Sequence, residues 1–403
     1  METPNFFRTF AENKVNNMVL ADNKPYKIVY CTPALYMAGG VERVLTLKAN
    51  YFADHFGYDI TIILTEGKGL PLFYPLSNKI KVINLDICFE ELWTCPFIKK
   101  LFVYLEKQRR YKKLLNAELM RIRPDITISL LRREINFITG IKDGSYKIGE
   151  LHVNRANYRN FEAGESNFFK NVFAKIWMNN LVRHLHKLDM FVVLTEEDKK
   201  QWRELSNVLV IPDPLPFHSD LKSSLKEKRI IAVGRYVYQK GFDLLLQAWS
   251  QVEKSCTDWE LVIYGQGNRE PYDKLIKELG IDRSRCHLFG PTNNIMQEYL
   301  NSSIFVFSSR FEGFGMVLVE AMECGLPVIS YDCPCGPKDI ITDGVDGVLV
   351  PNGNVFKLAE EIVRLINHPD EVAKLSLGAL VKAERYSIDV LSLQWRNLFE
   401  SMM

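Results

Sequence analysis

The sequence predicts an α/β protein built from two open, parallel-sheet domains, and three observations predict it. Short runs rich in Val and Ile alternate with longer amphipathic segments along almost the whole chain. The 403 residues are enough for two ordinary domains. Pro212, Pro214 and Pro216 fall within five residues near the middle, where they stiffen the chain and reject regular structure.

The elements follow in order. Residues 26–31 read as a strand, and a loop with Gly39 and Gly40 leads to a helix over 41–54 and a second strand over 58–65, an opening βαβ unit. The glycine pair is not a G-x-G-x-x-G fingerprint, so it gives little support to a dinucleotide site. A strand is expected at 79–85, a long basic helix at 97–122 that Pro124 stops, and a strand at 125–130. Strand residues at 146–154 run into Glu150, His152 and Asn154. An amphipathic helix over 168–188, a buried strand over 190–194 and a short helix capped by Thr195 follow, with Asp198 three residues past the cap. Strands at 229–233, 259–264, 286–289, 303–307, 328–331 and 345–350 alternate with helices at 242–251, 271–279, 292–300 and 315–323. Residues 332–341 read as a turn through Gly336 and Pro337, and helices at 354–367, 369–385 and 388–401 close the chain.

Composition narrows the function classes. A formal charge of +2 is too close to neutral for a general nucleic-acid binder. No run of 18 apolar residues is present, and residues 1–24 lack the basic start, apolar run and cleavage site of a signal peptide, so they read as a polar leader. The eight cysteines include one close pair, Cys333 and Cys335, whose spacing is wrong for a C-x-x-C redox or zinc motif. A reducing compartment, the cytoplasm, is the simplest account.

The stretch 305–330 carries the chemistry. It reads as strand, glycine-containing turn, helix and strand, with Glu312 in the turn and Glu320 inside the helix. Free amides from Gly313 through Phe314, Gly315 and Met316 form a helix-terminus site for an anion. Arg235 and Lys240, five apart across another strand-to-helix loop, add a fork of donors and a mobile point charge. Glu320 can accept two hydroxyls, as a ribose offers, and Glu312 those of a second polyol. Gly265, Gly267 and Gly290 permit close backbone approach at successive strand ends. Each signal alone is weak, and bland readings stand beside them: Glu312 as a turn cap, Glu320 on a solvated face, His152 as a structural histidine.

Together the pieces resemble the retaining, nucleotide-sugar-dependent glycosyltransferases of the GT-B type, family 4. The matching residues are Gly39-Gly40-Val41-Glu42-Arg43-Val44, Gly234-Arg235 with Lys240-Gly241, Tyr264-Gly265-Gln266-Gly267, and Glu312-Gly313-Phe314-Gly315 with Glu320. The seven residues between the two glutamates are the spacing of that family's paired-glutamate motif. The resemblance implies two Rossmann-like domains facing each other across a cleft: an extension at 1–24, an acceptor-binding domain at 25–211, a linker at 212–228, a nucleotide-sugar domain at 229–385, and a helix at 386–403 returning to the first domain.

It also implies roles. Arg235 and Lys240 would neutralise the donor diphosphate, Glu320 hold the ribose, and Glu312 hold the donor sugar near its reacting face. Gly39 and Gly40 would let the first domain close over the phosphates. His152 would line the sugar site, bonding a hydroxyl through its ring and steadying positive character at the anomeric carbon through its carbonyl. Reaction on one face needs no separate protein base, unlike the two-carboxylate mechanism of glycoside hydrolases.

The resemblance implies no divalent metal and no obligatory cofactor, and the chain agrees in showing no Asp-x-Asp triplet and no cluster by spacing of Asp213, Asp332 and Asp339. Asp339, where many relatives carry Glu, reads as a cap for the following turn. The implied partners are a UDP-sugar in preference to a GDP-sugar and a saccharide or polyisoprenyl-linked saccharide acceptor. These fit polysaccharide biosynthesis for the cell envelope, with peripheral contact at the inner face of the plasma membrane. The basic and aromatic residues of 97–113 and 168–187 would suit such contact, or simply be solvated surface and packing. A non-hydrolysing nucleotide-sugar epimerase and a non-catalytic sugar-nucleotide-binding protein are the alternative functions.

Overall fold

A computed structural model of the chain describes residues 25–94, 96–158 and 168–403. The leader at 1–24 and Cys95 lie outside the described residues. The chain divides into two compact units, Met1–Ile148 and Gly149–Met403.

The first unit contains β1 (Lys27–Thr32), α1 (Gly40–His55), β2 (Asp59–Leu64), β3 (Lys81–Asn84), α2 (Phe97–Ile122) and β4 (Ile126–Ser129). Its strands are parallel neighbours in the order β3-β2-β1-β4. Five consecutive residues of β1 and of β2 are buried, as in a parallel sheet covered on both faces. Pro124 disfavours helical geometry at Arg123, which takes a left-handed φ of 51° and donates its amide to the Leu119 carbonyl, ending α2. Leu101, Phe102 and Leu105 on α2 are exposed.

In the second unit β5 (Tyr146–Glu150) ends, and α3 (Phe168–Leu185), β6 (Met190–Val193), α4 (Glu196–Gln201) and β7 (Val208–Val210) follow, with β6 and β7 parallel. Thr195 caps α4 as its position predicts, accepting from the Asp198 amide at 3.1 Å.

The rest builds the second sheet. Its elements are β8 (Arg229–Val233), α5 (Phe242–Ser255), β9 (Glu260–Tyr264), α6 (Glu270–Leu279), β10 (Cys286–Phe289), α7 (Ile295–Leu300) and β11 (Ile304–Phe307). They continue with α8 (Met316–Glu323), β12 (Val328–Asp332), α9 (Pro337–Ile340), β13 (Gly347–Pro351), α10 (Val355–Asn367), α11 (Pro369–Glu384) and α12 (Ile388–Met402). The six strands run β10-β9-β8-β11-β12-β13, all parallel. The predicted α/β class with two parallel sheets is the observed one.

Strand alternation sends side chains to opposite faces. Ile230, Ala232, Leu261, Ile263, Ile304 and Val306 pack under Leu245, Trp249 and Ile362. Ile231, Val262, Phe305 and Phe307 pack under Leu318, Met322 and Ala379. The strand order reverses between β8 and β11, and that switch point opens the crevice where such sheets take ligands.

Three differences from expectation have a clear local cause. Residues 332–341 contain a helical turn, α9, because Gly336 at φ 125° reverses the chain just before Pro337, a residue suited to the first helical position. α7 starts at Ile295 rather than 292, because the Thr292 hydroxyl bonds the Asn294 amide and competes with helix. β13 starts at Gly347 rather than 345, because Asp346 accepts from the Thr342 amide and closes a turn there.

The proline-marked segment after β7 is tied to the second unit. Ser219 and Lys222 both donate to the buried Glu323 carboxylate at 3.0 Å, and Ser223 donates its amide to the Cys324 carbonyl at 2.8 Å. Glu323→Ala would leave the amide and the ammonium without that acceptor. The expected cost is about 3 kcal/mol in urea denaturation, with an unchanged denaturant slope.

Candidate active site

Glycines after β9 and at the start of α5 let backbones meet where a side chain would not fit. A Cβ on Gly265 would come 1.7 Å from the Gly234 carbonyl, and one on Gly241 would come 2.1 Å from the Ser308 carbonyl. Gly241 also holds φ 61°. Gly267, at φ 129°, pairs with Tyr236, so the β8 and β9 turns advance together. A Cβ on Gly290 would meet no protein atom within 4 Å, so internal packing does not demand that glycine.

The loops after β8 and β11 meet across the switch point. Lys240 Nζ lies 2.6 Å from Glu312 Oε1, with the two side chains 14% and 8% exposed. Gln239 Nε2 donates to the Phe311 carbonyl at 3.0 Å and to Glu312 Oε2 at 3.3 Å, and the Arg310 amide donates to the Gln239 carbonyl at 2.8 Å. Arg310 forks onto both oxygens of Asp243 at 2.8 and 2.6 Å and lies 4.1 Å over the Tyr238 ring. Its hydrogen bond to Asp243 pushes the guanidinium pKa up. Lys240 also sits 5.5 Å over the Phe307 ring. Arg235 is exposed on the turn after β8.

Glu320 is buried on α8 and accepts from the Tyr299 hydroxyl at 3.1 Å. Phe314 is buried against Tyr386, with ring centroids 5.5 Å apart. Gly315 is the N-cap of α8 at φ 100°, and Met316 is half-buried in the first turn.

His152 follows β5, and its chain crosses the Glu312 turn closely. A Cβ on Gly313 would come 2.6 Å from the His152 carbonyl, and Asn154 Nδ2 donates to the Glu312 carbonyl at 2.5 Å. His152 Nδ1 lies 3.2 Å from Asp213 and Nε2 lies 3.2 Å from Glu150. Burial alone would push the imidazole down, but the Asp213 and Glu150 carboxylates outweigh it and hold the pKa at about 9. Glu150, His152 and Asp213 offer atoms within 4.8 Å of one another. Both ring nitrogens already face carboxylate oxygens, so the geometry is that of an ion-paired imidazolium rather than a cation site.

Gly39 and Gly40 lie in the first unit, at the start of α1. A Cβ on Gly39 would come 1.8 Å from Glu42 Oε2, which folds back over the helix terminus, while one on Gly40 would meet nothing.

In the second unit the structure therefore brings His152, Lys240 and Glu312 to one loop cluster. Glu320 lies in the helix that follows that cluster, eight residues along. Gln239 and Tyr299 escape the sequence reading, which notes Glu150 and Asp213 but does not pair them with the His152 ring. Asp213 carried a signal, its place between Pro212 and Pro214, but its partner is 61 residues away. Asp339 does not cap the turn after it. It accepts from the amides of Glu196 and Glu197 at 2.8 and 3.4 Å, because the N-terminus of α4 presents open donors. Glu197 returns the contact by accepting from the Cys335 amide at 2.8 Å.

Residues 216–379 match the family described as Glycosyl transferases group 1. The chain is 27% identical over 387 residues to the amylovoran biosynthesis glycosyltransferase AmsD of Erwinia amylovora, covering 93% of this chain and 99% of that one. It is 26% identical to the GalNAc-alpha-(1->4)-GalNAc-alpha-(1->3)-diNAcBac-PP-undecaprenol alpha-1,4-N-acetyl-D-galactosaminyltransferase of Campylobacter jejuni, covering 90% and 95% of the two chains. The fold resembles the crystal structure of TarM, with a TM-score of 0.72 at 18% identity, over 94% of this chain and 99% of that one. The chain is thus a transferase enzyme, similar to bacterial glycosyltransferases over nearly its whole length.

Tyr299→Phe removes the hydroxyl that reaches Glu320. The expected loss is about 1 kcal/mol of stability by urea denaturation, with the fold retained by circular dichroism.

Proposed function

We propose that this protein is a retaining glycosyltransferase that moves a hexosyl or N-acetylhexosaminyl group from a nucleotide diphosphate sugar to a saccharide or lipid-linked saccharide acceptor. The observation that carries the reading is the buried Lys240–Glu312 pair at the switch point, followed along α8 by buried Glu320. A buried cation and carboxylate on opposing loops add little net stability as a pair, and together they suit a ligand that carries both charge and hydroxyls. A sugar diphosphate does. The names of the Erwinia and Campylobacter relatives support a saccharide or polyprenyl-linked acceptor. A UDP-sugar is the preferred donor, on the resemblance of the paired-glutamate segment.

In this reading the bond from the anomeric carbon to the phosphate oxygen breaks, and its electron pair leaves with the nucleoside diphosphate. Lys240 and Arg235 meet that growing charge, so no divalent ion is required. The acceptor hydroxyl oxygen bonds the anomeric carbon on the same face, and its proton passes to the departing phosphate oxygen. Glu312 orients the donor sugar, and Glu320, supported by Tyr299, receives the ribose. The His152 carbonyl, beside Gly313, faces the developing positive centre.

Among the described residues no helix is long and apolar enough to cross a membrane. Peripheral contact through α2 is part of the proposal, because exposed Leu101, Phe102 and Leu105 adjoin exposed Lys99 and Lys100.

The test is a thermal-shift screen against UDP- and GDP-sugars, with mass spectrometry following slow donor hydrolysis. Stabilisation by one nucleotide series, with release of its diphosphate and free sugar, is expected. A folded protein that neither binds nor hydrolyses any nucleotide sugar, with or without saccharide acceptors, overturns the reading.

Arg235→Ala is expected to remove roughly 2–4 kcal/mol of transition-state stabilisation, read as a fall in kcat/KM. Glu312→Ala is expected to abolish measurable turnover in the same assay, whereas a non-catalytic binding protein would keep its function.

A further inference from the structure

The cluster around His152 extends the proposed transfer reaction and rests on that reading. Glu150 and His152 stand two residues apart where β5 ends, and Asp213 reaches the ring from the segment after β7, held between two prolines. The ring is almost fully enclosed: its side chain is 6% exposed, and those of Glu150 and Asp213 are 1% and 8% exposed. Ionised carboxylate oxygens accept and do not donate, so with Glu150 and Asp213 both ionised the ring between them carries both protons. Such a ring cannot flip or turn without burying an unmatched charge.

We propose that Glu150 and Asp213 are positioning residues for glycosyl transfer: they clamp the His152 ring from both sides. The clamp sets the His152 carbonyl against Gly313 and the Asn154 side-chain amide against the Glu312 carbonyl. The ring is the anchor, and the His152 carbonyl and the Asn154 side chain beyond it are the working part. The Glu312 turn is tied elsewhere by its amide to the Pro334 carbonyl at 3.1 Å and by its carboxylate to Lys240. The Asn154 side-chain amide, donating to the Glu312 carbonyl, is a further tie. Its release would leave the Lys240 and Arg235 side chains in place while loosening the carbonyl that faces the reacting carbon. Donor binding would then persist and turnover would fall.

The charged groups that face the ring are Glu150 from β5 and Asp213 from the segment after β7. The Glu312 turn presents its backbone carbonyl to Asn154, and its carboxylate points to Lys240. The ring's pKa is raised, so the clamp is complete at and below neutral pH and is lost as pH rises through about 9.

The test uses the full chain labelled with 13C,15N-histidine, the His152 signal being assigned by its loss in His152→Gln. The wild-type ring is expected to stay protonated through about pH 8, and Asp213→Asn to lower its titration by about one unit or more. In the same variant kcat for donor hydrolysis or transfer is expected to fall roughly tenfold or more, with the donor KM within about threefold and the alkaline limb of the rate profile following the ring. Asp213→Glu should restore part of the rate. Glu150→Gln repeats the experiment from the other side if Asp213→Asn does not fold.

A wild-type ring titrating near 6.5, or one whose signal moves on adding zinc at constant pH, overturns the clamp. So does an Asp213→Asn variant whose ring titration moves while kcat and its pH profile do not. The titration needs no donor, so failure to find any nucleotide-sugar turnover would sink the transferase reading while the state of the ring is still decided by NMR.

Discussion

The arrangement depends on one constraint: the loops leaving β8 and β11 must share the narrow space above the switch point of the second sheet. Lys240 and Glu312 meet there in a largely buried ion pair. Neither charge would be tolerated alone in that position. The loops approach so closely that only glycine fits at position 241, beneath the Ser308 carbonyl. Gln239, Arg310 and Asp243 then lace the same loops from the outer side. The result is a charged site held by hydrogen bonds before any ligand arrives, the state in which electrostatic stabilisation costs no reorganisation.

The sheet beneath supplies the rigidity. Each of its central strands buries residues on both faces, so a slip of one residue would exchange the two core sets. The strand ends are fixed accordingly, and so are the loops that grow from them. Glu320 belongs to this scaffold as much as to the site. It lies on the buried side of α8, bonded to Tyr299. A carboxylate there needs a partner in the folded protein and can still offer acceptor capacity to a ligand.

Most of the fold was legible in the sequence. The strands and long helices fall close to where apolar runs and amphipathic segments place them, because parallel sheets buried on both faces leave an uninterrupted Val- and Ile-rich signature. The misread ends, at α7, α9 and β13, are places where a Thr or Asp side chain, or a glycine of unusual conformation, redirects the backbone. Asp339 was misread for a related reason. A carboxylate near a turn signals capping, but which amides it caps depends on what packs beside it, and here α4 does.

The sequence alone carries the α/β class, the strand and helix alternation, and a set of residue types suited to a sugar diphosphate: Arg235, Lys240 and Glu312 at strand-to-helix turns and Glu320 within a helix. Those features are local, written in composition and short spacings. Who meets whom is settled only in three dimensions. Lys240 and Glu312 are 72 residues apart, and His152 and Asp213 are 61 apart. The closeness of Gly313 to the His152 carbonyl exists only when both segments are in place. Pairings of that kind follow from sheet order and register, which no single segment encodes, because they depend on how the whole set of strands closes over its core.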